Sequence, residues 1–83
     1  MSPDKVCEKF SQKGIEIKIN VKSGTVFIEG TTDALEFLAE LFLAQAHFDK
    51  DEGFQIFPSG AGKIFFSRDS THGLYIHRVV NDN

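Results

Sequence analysis

The chain has no tryptophan, one cysteine, one methionine, one tyrosine and two prolines in 83 residues. The lone Cys7 excludes an internal disulfide, and a secreted domain this small would normally need such bridges. No basic start runs into an apolar segment, so no signal peptide is read. The longest apolar stretch, near 34–48, is interrupted by Glu36, Glu40, Gln45 and His47, which rules it out as a membrane span. A cytoplasmic location is therefore expected. Basic charge is also scarce: nine Lys and Arg against twelve Asp and Glu leave a formal net charge of −3. Nonspecific nucleic-acid affinity comes mostly from neutralising phosphates, so nucleic acid is not an expected partner.

What the chain has in quantity is phenylalanine. Nine Phe residues supply large side chains from which a short chain can build a core. The length fits a single α+β domain over residues 1–83. Its stability should be modest, roughly 4–12 kcal/mol at the usual per-residue range.

Ser2-Pro3-Asp4 predicts a helix start, with Ser as N-cap, Pro at the first helical position and an acid in the first turn. Val6, Cys7 and Phe10 follow on one face, and Gly14 ends the segment. Ile15, Ile17, Ile19 and Val21 alternate with Glu16, Lys18 and Asn20, the pattern of a half-buried strand. Lys22-Ser23-Gly24 turns the chain into a second strand, Thr25–Glu29. Gly30–Asp33 then opens the main helix, which runs to about Phe48 with a stripe of Leu35, Leu38, Ala39, Phe42 and Ala46. Three further strands are expected at Phe54–Phe57, Lys63–Ser67 and Leu74 to about Val79, followed by a loose tail at Asn81, Asp82 and Asn83. The order α-β-β-α-β-β-β predicts a largely antiparallel five-stranded sheet with the long helix on one face and a short N-terminal helix.

Strand alternation divides the side chains of that sheet between two faces. Ile15, Ile17, Ile19, Val26, Ile28, Phe54, Ile56, Ile64, Phe66, Leu74 and Ile76 point towards the helix. The other face carries Phe27, Phe57, Phe65 and Tyr75, more aromatic surface than a solvated face normally shows. Three explanations are open: the N-terminal helix covers it through Val6 and Phe10, two copies meet there, or a partner binds there. The loop after the main helix adds Asp49, Asp51 and Glu52, an acidic group suited to a basic partner.

None of the short motifs makes a catalytic, cofactor or metal site. Gly60-Ala61-Gly62-Lys63 has phosphate-loop composition but feeds an expected strand instead of a helix. Asp49–Gly53 begins like a calcium loop, yet its glycine comes one position early and position twelve is Gly60. His47, His72 and His77 have no zinc spacing, and His77 has no carboxylate partner in its neighbourhood. Ser59, Ser67 and Ser70 lack a nucleophile-elbow context, and Cys7 reads as a small packing residue.

From Val26 to Val79 the chain resembles a small family of immunity proteins from bacterial polymorphic toxin systems, immunity protein 32. The resemblance is carried by Val26-Phe27-Ile28-Glu29-Gly30, by Leu35–Leu41 leading into Ala44-Gln45-Ala46, by Gly53–Pro58, and by Leu74-Tyr75-Ile76-His77-Arg78. Gln55 and Phe57 stand where that family's pattern has more His and Asp, and the N-terminal helix is additional. The resemblance implies a cytoplasmic protein, without catalytic activity, that binds and neutralises a toxin domain.

The expected function is thus a noncatalytic protein-binding module, with Phe27, Phe57, Phe65, Tyr75, Asp49, Asp51 and Glu52 as partner-binding residues and no cofactor. A toxin-neutralising immunity protein facing a basic toxin domain is the specific form. The alternatives are a small-ligand or single-stranded nucleic-acid binder that uses the aromatic face, or a homodimeric structural domain.

Overall fold

A computed structural model gives the structure of residues 1–80; the tail expected at Asn81, Asp82 and Asn83 lies outside the described residues. Helix α1 covers Pro3–Phe10 and begins as the sequence predicts. Ser2 is its N-cap and accepts a hydrogen bond from the Lys5 N–H at 3.2 Å. Strands β1 (Ile17–Lys22) and β2 (Thr25–Gly30) form an antiparallel hairpin with an unbroken register from Ile17↔Gly30 to Lys22↔Thr25. Ser23 (φ 53°) and Gly24 (φ 76°) make its two-residue turn, the left-handed pair that matches strand twist. Helix α2 spans Thr32–Ala46 and is capped by the Thr31 hydroxyl. Its first turn crosses β2 closely: a Cβ on Gly30 would come within 2.8 Å of the Ala34 Cβ.

The five-stranded sheet does not form. Among the described residues there are four strands in two separate antiparallel ribbons, β1–β2 and β3–β4, with β3 at Phe54–Ile56 and β4 at Leu74–Ile76. The α+β class holds; the single sheet does not. The segment expected as the fourth strand is the cause. Lys63–Phe65 is a 3-10 turn closed by Phe65 N–H to Gly62 C=O at 3.0 Å and Phe66 N–H to Lys63 C=O at 3.1 Å. The turn breaks the alternation, so Phe65 is buried and Ile64 is 63% exposed.

Beyond the turn the chain does lie along β1, on the edge opposite β2. One parallel bridge joins Ile17 to Phe66, and Ser67 N–H donates to Ile17 C=O at 2.9 Å. No regular ladder continues, because the Thr71 and His72 N–H groups both donate to the one Ile19 C=O, at 3.2 and 3.0 Å, and side chains fill the neighbouring positions. The buried Ser70 hydroxyl accepts from Ile19 N–H at 2.9 Å, and Asn20 Oδ1 accepts from Thr71 N–H at 2.9 Å. A β-ladder requires backbone partners in sequence, and these substitutions leave the two ribbons unjoined.

The core lies between α1, α2 and β1. Val6, Phe10, Ile15, Ile17, Ile19, Ala34, Phe37, Leu38, Leu41, Ala44, Ile56, Phe65 and Phe66 form one buried cluster. A fully buried side chain such as Phe37 or Leu41 contributes roughly 1.5–3 kcal/mol. The N-terminal helix does not cover an outer sheet face. It packs beside α2, with the Phe10 and Phe37 rings 5.3 Å apart and Lys9 Nζ 2.8 Å from Glu40 Oε1. Val26 and Ile28 share the face of their register partners Val21 and the buried Ile19, yet they stay exposed. The buried stripe of α2 is also rotated from the expected one: Leu35 and Phe42 are exposed, while Ala34, Phe37 and Leu41 are buried.

Candidate functional site

The β3–β4 ribbon is short, and its alternation is strict. Phe54 pairs with Ile76, Gln55 with Tyr75 and Ile56 with Leu74. Ile56 is buried, and Phe54, Leu74 and Ile76 pack against the core, which leaves Gln55 and Tyr75 on the outer side. Tyr75 is 63% exposed. Its ring and hydroxyl rest on Gly53, where any Cβ would collide with them. Glycine at position 53 thus lets the Tyr75 ring lie directly against the backbone.

Beside Tyr75 lies His77, with ring centroids 6.2 Å apart. His77 Nε2 stands 2.9 Å from Asp51 Oδ1 and is the donor, because an ionised carboxylate only accepts. The carboxylate partner that local sequence did not supply for His77 comes from the loop after α2. The side chains are 38% and 67% exposed, so the pair ties the loop to β4 but adds little stability.

Two more bonds hold the same loop. Arg78 Nη2 donates to Phe48 C=O at 2.9 Å. Gln45, only 2% exposed on the inner side of α2, donates its amide to Glu52 C=O. Asp49, Asp51 and Glu52 remain exposed. An acidic loop is therefore fixed from three sides next to an exposed tyrosine.

The seven residues expected to bind a partner do not share one surface. Tyr75, Asp51 and Glu52 come together, with Asp49 in the same loop. Phe57 is half-buried against Gly60 and Gly73. Phe27 is 44% exposed on the other ribbon. Phe65, read as an outer-face residue, is 4% exposed and stacks on Phe37 at 4.5 Å; the 3-10 turn rotates it inward. Sequence reasoning missed Gly53, Gln45 and His77 as parts of this site. The Gly53-Phe54 start of β3 was a visible signal, whereas the two side-chain contacts depend on tertiary structure.

A second concave region of about 570 Å³ separates α1 from the chain around β3 and the 3-10 turn. Asp4, Cys7 and Glu8 line one wall, and Gly60–Phe65 line the other. Burial, and then the charge of Asp4, push the Cys7 thiol up to about 11. It is protonated at neutral pH and is a poor nucleophile. Gly62 (φ 78°) presses on Ile56, so this loop is shaped by packing, and the facing acids oppose an anion. Among the described residues no group of three His, Cys, Asp or Glu is placed to hold a metal ion. No helix among them is long and apolar enough to cross a membrane.

No family model matches the chain, and neither a curated protein nor a solved structure matches it.

Proposed function

We propose that the chain is a noncatalytic protein-binding module whose contact patch is the outer side of the β3–β4 ribbon together with the acidic loop after α2. The observation that carries this reading is Tyr75, 63% exposed and seated on Gly53, beside the Asp51–His77 pair. Tyrosine is among the residues that most often anchor interfaces. The surrounding Asp49, Asp51 and Glu52 would steer a basic partner and discriminate against acidic ones. Neutralisation of a nuclease-type toxin domain, the role implied by the resemblance to the immunity proteins, is the specific form of this function. The stacking-platform alternative has less support, because Phe65 is in the core and Phe57 is half-buried.

The test is a rate measurement between this chain and a basic toxin domain encoded beside it. Tyr75→Ala should mainly speed dissociation, and Asp51→Lys with Glu52→Lys should mainly slow association at low salt. Binding that is unchanged in both variants would reject the patch.

A further inference from the structure

We infer that β2 and the adjoining flank of α2 form the contact surface for a second copy of this chain, giving a two-fold dimer with a continuous β1-β2-β2-β1 sheet. This inference concerns a different face from the Tyr75 patch and does not depend on it.

The hydrogen-bond phase of the hairpin identifies the free edge. Ile17 and Ile19 turn their backbone groups towards Ser67, Ser70, Thr71 and His72, away from β2. Lys18, Asn20 and Lys22 therefore bond to β2, through their register partners Glu29, Phe27 and Thr25. The N–H and C=O groups of Val26 and Ile28 are left pointing outward along an open edge.

Soluble proteins guard such edges with lysine, proline, bulges, short strands or a covering element. Among the described residues, strand β2 has none of these. It is six residues long, its register is unbroken, it contains no Lys or Pro, and all six residues are exposed. Its only charge is Glu29, near one end.

Helix α2 extends the same surface. Glu40, Leu43, Ala44 and His47 line a groove with Met1 and Val6, which marks the side of α2 that faces α1. Leu35, Ala39, Phe42 and Ala46 form a separate exposed stripe at helical spacing. Helix α1 borders Phe54–Ile56 and Gly60–Phe65, and that chain continues onto the β1 edge opposite β2. The flank of α2 turned away from α1 consequently lies on the β2 side. Leu35 (47% exposed) and Phe42 (50%) then continue the apolar surface of Val26 (58%) and Ile28 (45%).

Self-complementarity and area select a second copy as the occupant. With the two-fold axis at Phe27, Val26 meets Ile28 of the second copy. Both are outward-pointing residues, so they can exchange N–H···O bonds in both directions. Phe27 then meets its own equivalent in the close, non-hydrogen-bonded position. Glu29 faces Thr25, so no like charges meet. The surface of α2 that comes together is likewise uncharged, which suits another apolar copy better than a basic domain. The exposed parts of Val26, Phe27, Ile28, Leu35 and Phe42 hold roughly 500 Å² of mostly apolar area, and the strand backbone and flanking Thr25, Glu29 and Ala39 bring this towards the ~800 Å² per partner of a standard interface.

The experiment is sedimentation of the full chain up to ~100 µM, a range that detects micromolar association. A mass near twice the 9.3 kDa of the chain is expected. Val26→Pro removes an N–H that the monomer leaves unpaired, and edge strands tolerate proline at such positions. Phe42→Lys changes only an exposed helix residue. Each should weaken the dimer at least about tenfold, with the circular dichroism of the folded monomer retained. As a register test, Phe27→Cys in a Cys7→Ser background should form an intermolecular disulfide with oxidised glutathione, whereas Tyr75→Cys in the same background should not. A wild-type chain that stays monomeric overturns the inference and leaves the edge to a strand from another protein. A dimer that survives both Val26→Pro and Phe42→Lys overturns it equally.

Discussion

The ring of Phe65 stacks on that of Phe37, with centroids 4.5 Å apart and planes 27° from parallel. Phe10 meets the same Phe37 ring at 5.3 Å. Three aromatic side chains thus join the 3-10 turn, α2 and α1 through a single contact point in the core. Phe65→Ala should cost ~3–5 kcal/mol, the range for losing a buried aromatic. Urea unfolding measures it directly. A midpoint close to wild type would return Phe65 to the surface.

The same packing gives α1 a structural role. Val6 and Phe10 are 1% and 2% exposed within the common core. Deleting residues 1–12 should therefore abolish cooperative unfolding, a larger effect than uncovering a sticky face. Near-ultraviolet circular dichroism of the truncated chain tests this. A sharp two-state transition for residues 13–83 would contradict the shared core.

Ser70 replaces a strand partner with one hydroxyl. Its Oγ accepts from Ile19 N–H at 2.9 Å and lies 3.1 Å from His72 C=O as donor. Ser70→Ala leaves the Ile19 N–H without this acceptor and should cost ~1–3 kcal/mol. Amide exchange at Ile19 should accelerate relative to Lys18, which bonds within the hairpin. Equal protection in the variant would show that the hydroxyl is dispensable.

Local signals were legible in the sequence wherever they were backbone signals. Ser2-Pro3-Asp4 gave the start of α1 and Lys22-Ser23-Gly24 the hairpin turn, while the segment Gly30–Asp33 marked the start of α2 without singling out Thr31 as its cap. Facing was not legible in α2, because apolar residues surround the helix. Leu35 and Phe42 fit a periodic stripe as well as Phe37 and Leu41 do, and only the position of α1 decides between them. In the segment 63–67 the alternation of Ile64, Phe65 and Phe66 fits a strand. The turn that inverts it follows from the i to i+3 bonds begun at Gly60 and Gly62. At the candidate site, Tyr75 and the acidic loop were visible as residue types. The Asp51–His77 contact spans 26 residues, so only tertiary structure could provide it.

Cys7 gives a pH-dependent prediction. Burial, with Asp4 adding to it, raises the thiol from 9.0 to about 11. At pH 8 its thiolate population should be about a hundredfold below that of an unperturbed thiol, and alkylation by iodoacetamide should slow accordingly. The folded chain retains a proton between pH 9 and 11 that the unfolded chain has lost. The folded state thus binds more protons in that window, and stability falls as pH rises through it. Cys7→Ser should flatten this slope. An alkylation midpoint near pH 9 in the folded protein would show that the thiol is not shielded.

The Tyr75 site carries its own reporter. Tyr75 is the only tyrosine and the chain has no tryptophan, so intrinsic fluorescence excited in the near ultraviolet comes chiefly from this residue. Gly53 bears the ring, and a Cβ there would meet the hydroxyl end of an exposed side chain, which can swing away into solvent. Gly53→Ala should leave global stability within about 1 kcal/mol of wild type, as for most surface changes. It should nevertheless displace Tyr75 and make its fluorescence easier to quench with acrylamide. Asp51→Asn weakens the tie to His77 without crowding the ring, so it should alter quenching much less. If the Tyr75 patch anchors a partner, Gly53→Ala should speed dissociation while association stays near wild type, because the acidic loop that steers encounter keeps its charge. Unchanged quenching in Gly53→Ala would mean that the tyrosine is not seated on position 53, and the contact patch would lose its anchor.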